Sequence, residues 1–151
     1  MSLRCFLPAW IAAWVTAIFL PSALIALLGF APAALSNGNL LARVWQVADD
    51  VGPAVKLMMG ALLLGGFLIL VRWGQPVRRM RHVVSAAIGI TAVAATVTVI
   101  PAGLSRGFGI ALTGVRFEPT LTALYLLAGA IAGLTFAITL DRCAASTFRS
   151  A

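Results

Sequence analysis

Four stretches of this chain are long enough to cross a bilayer and carry no acid, arginine or histidine at mid-depth. Crossing the hydrocarbon core takes about 20 apolar residues in a helix, because no water is present there to hydrogen-bond an open backbone. The qualifying runs cover residues 8–30, 53–71, 83–104 and 120–140. Lys56 lies one turn inside the second, where its aliphatic stem can carry the ammonium out to the headgroups. With 62% hydrophobic and 10% charged residues and a mean hydropathy of +1.05, the chain could not cover its own surface with polar groups in water. A soluble domain is nearer to half apolar and a quarter charged. The expectation is one transmembrane domain over residues 1–151, an all-α integral membrane protein built as a four-transmembrane-helix bundle.

The net charge is +7 and the isoelectric point about 11.4, which in a soluble protein would point to nucleic acid. Here the basic residues flank the apolar runs. Arg4, Arg72, Arg78, Arg79, Arg81, Arg142 and Arg149 fall on one face, seven in all. Arg43, Lys56, Arg106 and Arg116 fall on the other, with three of the four acids. Short cytoplasmic loops carry the excess of Lys and Arg, so both ends and the connection between the second and third spans are expected in the cytoplasm. Basicity then reads as a topology signal, and no nucleic-acid partner is expected.

The span ends are marked. Asp49 and Asp50 precede Gly52-Pro53, and Glu118 precedes Pro119-Thr120, placing negative charge near a helix start with proline in its first turn. Pro21 falls inside the first span and should kink it. Arg4, the first apolar run and Ala31-Pro32-Ala33-Ala34 imitate a cleavable secretory signal, but that run is about 23 residues against about 7–15 for a signal core. Retention is therefore expected; cleavage would leave three spans. From Asn39, the residues Leu40, Leu41, Val44, Trp45 and Ala48 recur at helical spacing, with Arg43, Gln46 and Asp49 between them. This suits a short amphipathic helix in the first exterior loop, anchored by Trp45. Residues 107–117 mix alternation with a Thr-Gly turn and are compatible with a small hairpin or an irregular apolar loop.

Absences narrow the function. The spans hold no acid or histidine at depth, which argues against proton-coupled transport. The lone histidine, His82, sits at the membrane edge, so a haem bound between paired histidines is excluded. With four acids in total and no nucleophile–base set, the chain has almost no material for acid–base catalysis, and neither enzymatic activity nor a cofactor is expected. Cys5 and Cys143 lie at opposite ends of the chain. Two thiols make no disulfide framework or metal site, and the topology puts both in the reducing cytoplasm. They are expected to be incidental interfacial thiols, with reversible acylation as the alternative.

What remains are small-residue faces, a hydroxyl stripe and a charge cluster. Gly129 and Gly133 form a GxxxG in the fourth span, and Gly60, Gly65 and Gly66 lie in the second. Such residues let helices approach closely, either within the bundle or against a partner. Ala87, Thr91, Ala94 and Thr98 share a stripe on the third span. With Thr135 and Thr139, Thr91 and Thr98 could line a path for a neutral solute. Arg72, Arg78, Arg79 and Arg81 could grip anionic lipid headgroups or an acidic partner.

The runs LLLGGFLILVRWGQPVRRMR (residues 62–81) and LTALYLLAG (residues 121–129), with the exterior segment 106–119 between them, resemble a group of small bacterial four-span inner-membrane proteins of unknown function. The resemblance covers about residues 40–140. It departs before the third span, where Trp73-Gly74-Gln75-Pro76 replaces a polar, acid-containing segment. It implies a four-span topology and a bacterial inner-membrane address, and carries over no functional residue. The expected function is that of a non-catalytic accessory, assembly or regulatory subunit packing against a protein partner or itself, among membrane lipids. The alternatives are a small channel or transporter for a neutral or apolar solute, and a lipid-interacting protein.

Overall fold

A computed structural model describes residues 3–28, 39–72, 78–99 and 119–149. These form five helices and no strand: α1 (Leu3–Leu27), α2 (Leu40–Asp50), α3 (Pro53–Arg72), α4 (Arg78–Val99) and α5 (Pro119–Arg149). Four of them, α1, α3, α4 and α5, are long and apolar enough to cross a membrane. The segment 107–117, read as a hairpin or an irregular loop, the cleavage-like stretch 31–34 and the segment 73–76 lie outside the described residues.

The long helices form a ring in which α1 packs on α5, α5 on α4, α4 on α3 and α3 on α1. Neighbours run antiparallel. Gly89 of α4 meets Gly129 of α5 while Ser85 meets Gly133. Trp14 and Trp10 of α1 reach Lys56 and Gly60 of α3 in the same reversed order. The start of α1, the end of α3, the start of α4 and the end of α5 therefore share one end of the bundle.

Helix ends overrun the apolar windows. Backbone groups in an α-helix are satisfied within the element, so α1 begins five residues before the expected span and α5 continues nine residues past Leu140. At 31 residues and about 1.5 Å per residue, α5 is longer than a hydrocarbon core of about 30 Å is thick. Helix α1 runs through both Pro8 and Pro21 without interruption. Next to the carbonyl that Pro21 cannot bond, Ser22 turns its hydroxyl back onto Ile18 O at 3.0 Å.

Helix α2 starts where Asn39 accepts the Ala42 amide at 2.9 Å, as an N-cap does. Its Val47 and Ala48 are buried, while Leu40, Leu41 and Trp45 stay exposed. Trp45 lies 5.9 Å from Phe19 of α1. Arg43 donates to Ala26 O at 3.2 Å, placing a cation on one of the orphan carbonyls that end α1. The chain turns from α2 into α3 at Gly52, whose φ of 82° no other residue type adopts cheaply. Its amide donates to Asp49 O at 3.0 Å, and Lys56 stands 3.7 Å from the Asp49 carboxylate. Replacing Gly52 with alanine is expected to cost about 1–2 kcal/mol through the left-handed backbone alone. Thermal unfolding in mild detergent reads this cost, and an unchanged midpoint would refute the strain.

Lipid supplies no hydrophobic drive for helices to associate, so packing and interhelical hydrogen bonds decide the assembly. Two features bring α1 and α3 together. Trp10 and Trp14 stack at 5.4 Å and donate to Gly60 O at 3.1 Å and Lys56 O at 2.8 Å. Gly60 makes room for them, because a Cβ there would sit 2.8 Å from the Trp14 ring nitrogen. In the interior, Phe136 of α5 stacks on Phe67 of α3 at 3.8 Å and meets the edge of Phe6 of α1 at 5.6 Å.

Candidate functional site

At the α4–α5 seam backbone meets backbone. A Cβ on Gly133 would collide with the Ser85 carbonyl, and one on Gly89 with the Gly129 carbonyl. On α4 the buried positions are Ser85, Gly89, Ala92, Val93, Thr96 and Val97, one helical face. The stripe of Ala87, Thr91, Ala94 and Thr98 lies on another side, with Thr91 and Thr98 exposed. Both sides of α4 are small enough to pack. The side carrying Gly89 is the one whose backbone can meet the backbone of α5.

The five glycines singled out from the sequence thus fall into two groups. Gly129 and Gly133 are filled by α4, Gly60 by Trp14 of α1, and Gly66 by Ile88 of α4, whose Cγ2 would lie 2.5 Å from an added Cβ. Gly65 differs, since among the described residues a Cβ there would meet nothing within 4 Å. It falls in line with Leu57, Ala61 and Leu68, all exposed, on the outward side of α3.

Of the four threonines, Thr91 and Thr98 lie on an exposed side of α4, and Thr135 and Thr139 are half-buried on α5. Thr91 donates to Ala87 O and Ile88 O, both at 3.0 Å, and Thr98 to Ala94 O at 3.0 Å and Ala95 O at 3.1 Å. Thr135 bonds Ile131 O at 2.9 Å, and Thr139 is half-buried. The hydroxyls of Thr91, Thr98 and Thr135 are satisfied by their own helices. The fully buried threonine is Thr96, which bonds Ala92 O at 2.7 Å.

At the shared end of the bundle the structure assembles a polar cluster that the sequence had dispersed. Arg81 forms an ion pair with Asp141 of α5, and His82 Nε2 lies 3.7 Å from the other carboxylate oxygen. The Asp141 side chain is only 10% exposed and that of Arg81 17%. Arg81 is therefore turned inward onto a carboxylate of its own chain. Arg72 is exposed, while the side chains of Arg78 and Arg79 lie outside the described residues. Sequence reasoning missed Asp141 because it falls one residue past the apolar run. The available signal was that it is the lone acid on the face carrying seven basic residues.

Beside this cluster Cys5 and Cys143 are joined by a disulfide, with Cα atoms 5.6 Å apart and 138 residues between them in sequence. The structure thus pairs the two cysteines that the sequence reading kept apart as separate thiols, and neither described cysteine is free in it. Bundle closure brings the first turn of α1 against the last turns of α5, a proximity that no local spacing encodes. The end of α5 is thus held twice, by a covalent bond to α1 and by an ion pair to α4. Among the described residues no group of three or more His, Cys, Asp or Glu is placed to hold a metal ion. Comparison with known protein families, curated proteins and solved structures finds no match for this chain.

Proposed function

We propose that this chain is a non-catalytic integral membrane protein that works by packing against a protein partner or a second copy of itself, as an accessory, assembly or regulatory subunit. The observation that carries this reading is the outward side of α3. There the exposed Leu57, Ala61 and Leu68 lie in line with Gly65, a notch that nothing among the described residues fills. The other four candidate glycines are occupied internally. A small-residue notch on a lipid-facing helix admits a second backbone closely, the condition under which spans associate. The seven-to-four distribution of basic residues supports an orientation with both ends and the α3–α4 connection in the cytoplasm. In that orientation α2 is an amphipathic helix of the first exterior loop, its Trp45, Leu40 and Leu41 facing the interface. The resemblance to small bacterial four-span proteins supports a bacterial inner-membrane address.

Extraction in several mild detergents, followed by mass-spectrometric identification of what co-purifies, tests the proposal. A stoichiometric partner or a homo-oligomer is expected. Gly65→Leu should deplete it at least about tenfold, as a loss of roughly 1.4 kcal/mol would, while shifting the monomer's own stability by no more than about 0.5 kcal/mol. Recovery of only a bare monomer in every detergent would sink the proposal.

A further inference from the structure

We propose that Cys5 and Cys143 form a reversible thiol–disulfide site, which exchanges with small thiols of the compartment that the two ends of the chain face. The proposal rests on the reading that this compartment is the cytoplasm. A disulfide there persists only while the local thiol pool is oxidised. The geometry joins the two sulfurs, and the distribution of basic residues puts them on the reducing side. Both observations hold together if the bond opens and closes.

The two sulfurs are not equivalent. Cys5 is buried at 4% exposure, whereas Cys143 is partly exposed near the end of α5. An incoming thiolate therefore reaches Cys143. Its electron pair forms a new S–S bond to Cys143 Sγ, the old bond breaks, and its pair leaves on Cys5 Sγ, which then takes a proton. A second thiol attacks the outer sulfur of the mixed disulfide and releases Cys143, which is protonated in turn. The net change is two thiols oxidised to one disulfide and one cystine reduced to two thiols; closing the bond is the reverse. Cys5 is suited to be the leaving group. It lies in the first turn of α1, where the aligned peptide dipoles favour an anion, and it follows the exposed Arg4. Cys143 likewise follows the exposed Arg142.

Opening the bond does not dismantle the bundle. Phe6 still meets Phe136, and Arg81 still pairs with Asp141. Ala9, Ala13 and Ala17 remain a fully buried small-residue stripe on α1, whose main neighbour is α5. What changes is whether the first span is covalently tied to the last.

The chain has only two cysteines, so acid quenching of cells followed by alkylation with a polyethylene-glycol maleimide reports the state directly as zero or two adducts on a gel. In unstressed cells the doubly alkylated form should predominate over the bonded form, as the cytosolic thiol poise requires of an exchanging pair. A brief pulse of the thiol oxidant diamide should convert it to the bonded form, and washout should restore the thiols within minutes. Orientation is read separately with Cys5→Ser, in which Cys143 alone remains. A membrane-impermeant maleimide should reach it only after permeabilisation. If that holds but the wild-type chain keeps both thiols through the diamide pulse, the exchange site is overturned and the orientation stands. If Cys143 is labelled from outside, the orientation is overturned, and a wild-type bond present at all times would overturn the exchange site with it.

Discussion

Gly133→Leu is expected to abolish the folded monomer or to destabilise it by at least about 3 kcal/mol. A Cβ at this position runs into the Ser85 carbonyl and would stand 2.8 Å from Ala86 Cα, so the obstacle is backbone and cannot rotate aside. Relief requires α4 and α5 to separate, which also pulls Arg81 from Asp141. Gly89→Leu should behave the same way, because it meets the Gly129 carbonyl. Gly65→Leu on the open side of α3 is the control. Fluorescence-detected size exclusion after a temperature ramp separates the cases. Equal melting of Gly133→Leu and wild type, within about 2 °C, would show that the seam does not hold the bundle.

The second large effect is expected at the ion pair. Asp141→Ala leaves the guanidinium of Arg81, 17% exposed, facing an apolar helix end without its carboxylate. Breaking one partner of a buried pair costs about 3–5 kcal/mol. At the membrane edge the long arginine stem can reach the headgroups and recover part of that, so about 2–3 kcal/mol is expected here. Arg81→Met should cost at least as much, because Asp141 is shorter and more deeply buried. The double variant Arg81→Met/Asp141→Leu should regain most of the loss, since two apolar side chains often replace a buried pair without penalty. A double-mutant cycle on unfolding in mixed micelles measures the coupling. Losses that simply add would mean that the pair contributes nothing beyond its two separate side chains.

These two sites show where the sequence was legible. The four long helices could be read from it because lipid leaves few alternatives: an apolar run of some twenty residues must be helical to satisfy its backbone. The helix from Leu40 was legible for a related reason, its apolar residues recurring at helical period behind the capping Asn39. Gly129 and Gly133 were visible as a motif, but their use was not, because α4 offers small residues on more than one side. Only a three-dimensional fit distinguishes Gly89 from the stripe holding Thr91 and Thr98. Asp141 was hidden by lying just past the hydropathy window. The Cys5–Cys143 bond was hidden twice over, since its halves are separated by nearly the whole chain, and since a cytoplasmic address argued for free thiols.

Seen as a graph rather than a string, the oxidised protein is a closed circle from Cys5 round to Cys143. A single peptide cleavage in any of the connecting segments then yields two pieces that still travel as one molecule under denaturing conditions. Only a reductant parts them. The same nick in the dithiol form leaves only noncovalent contacts between the halves, so the sulfur chemistry at one corner decides whether damage elsewhere in the ring is survivable.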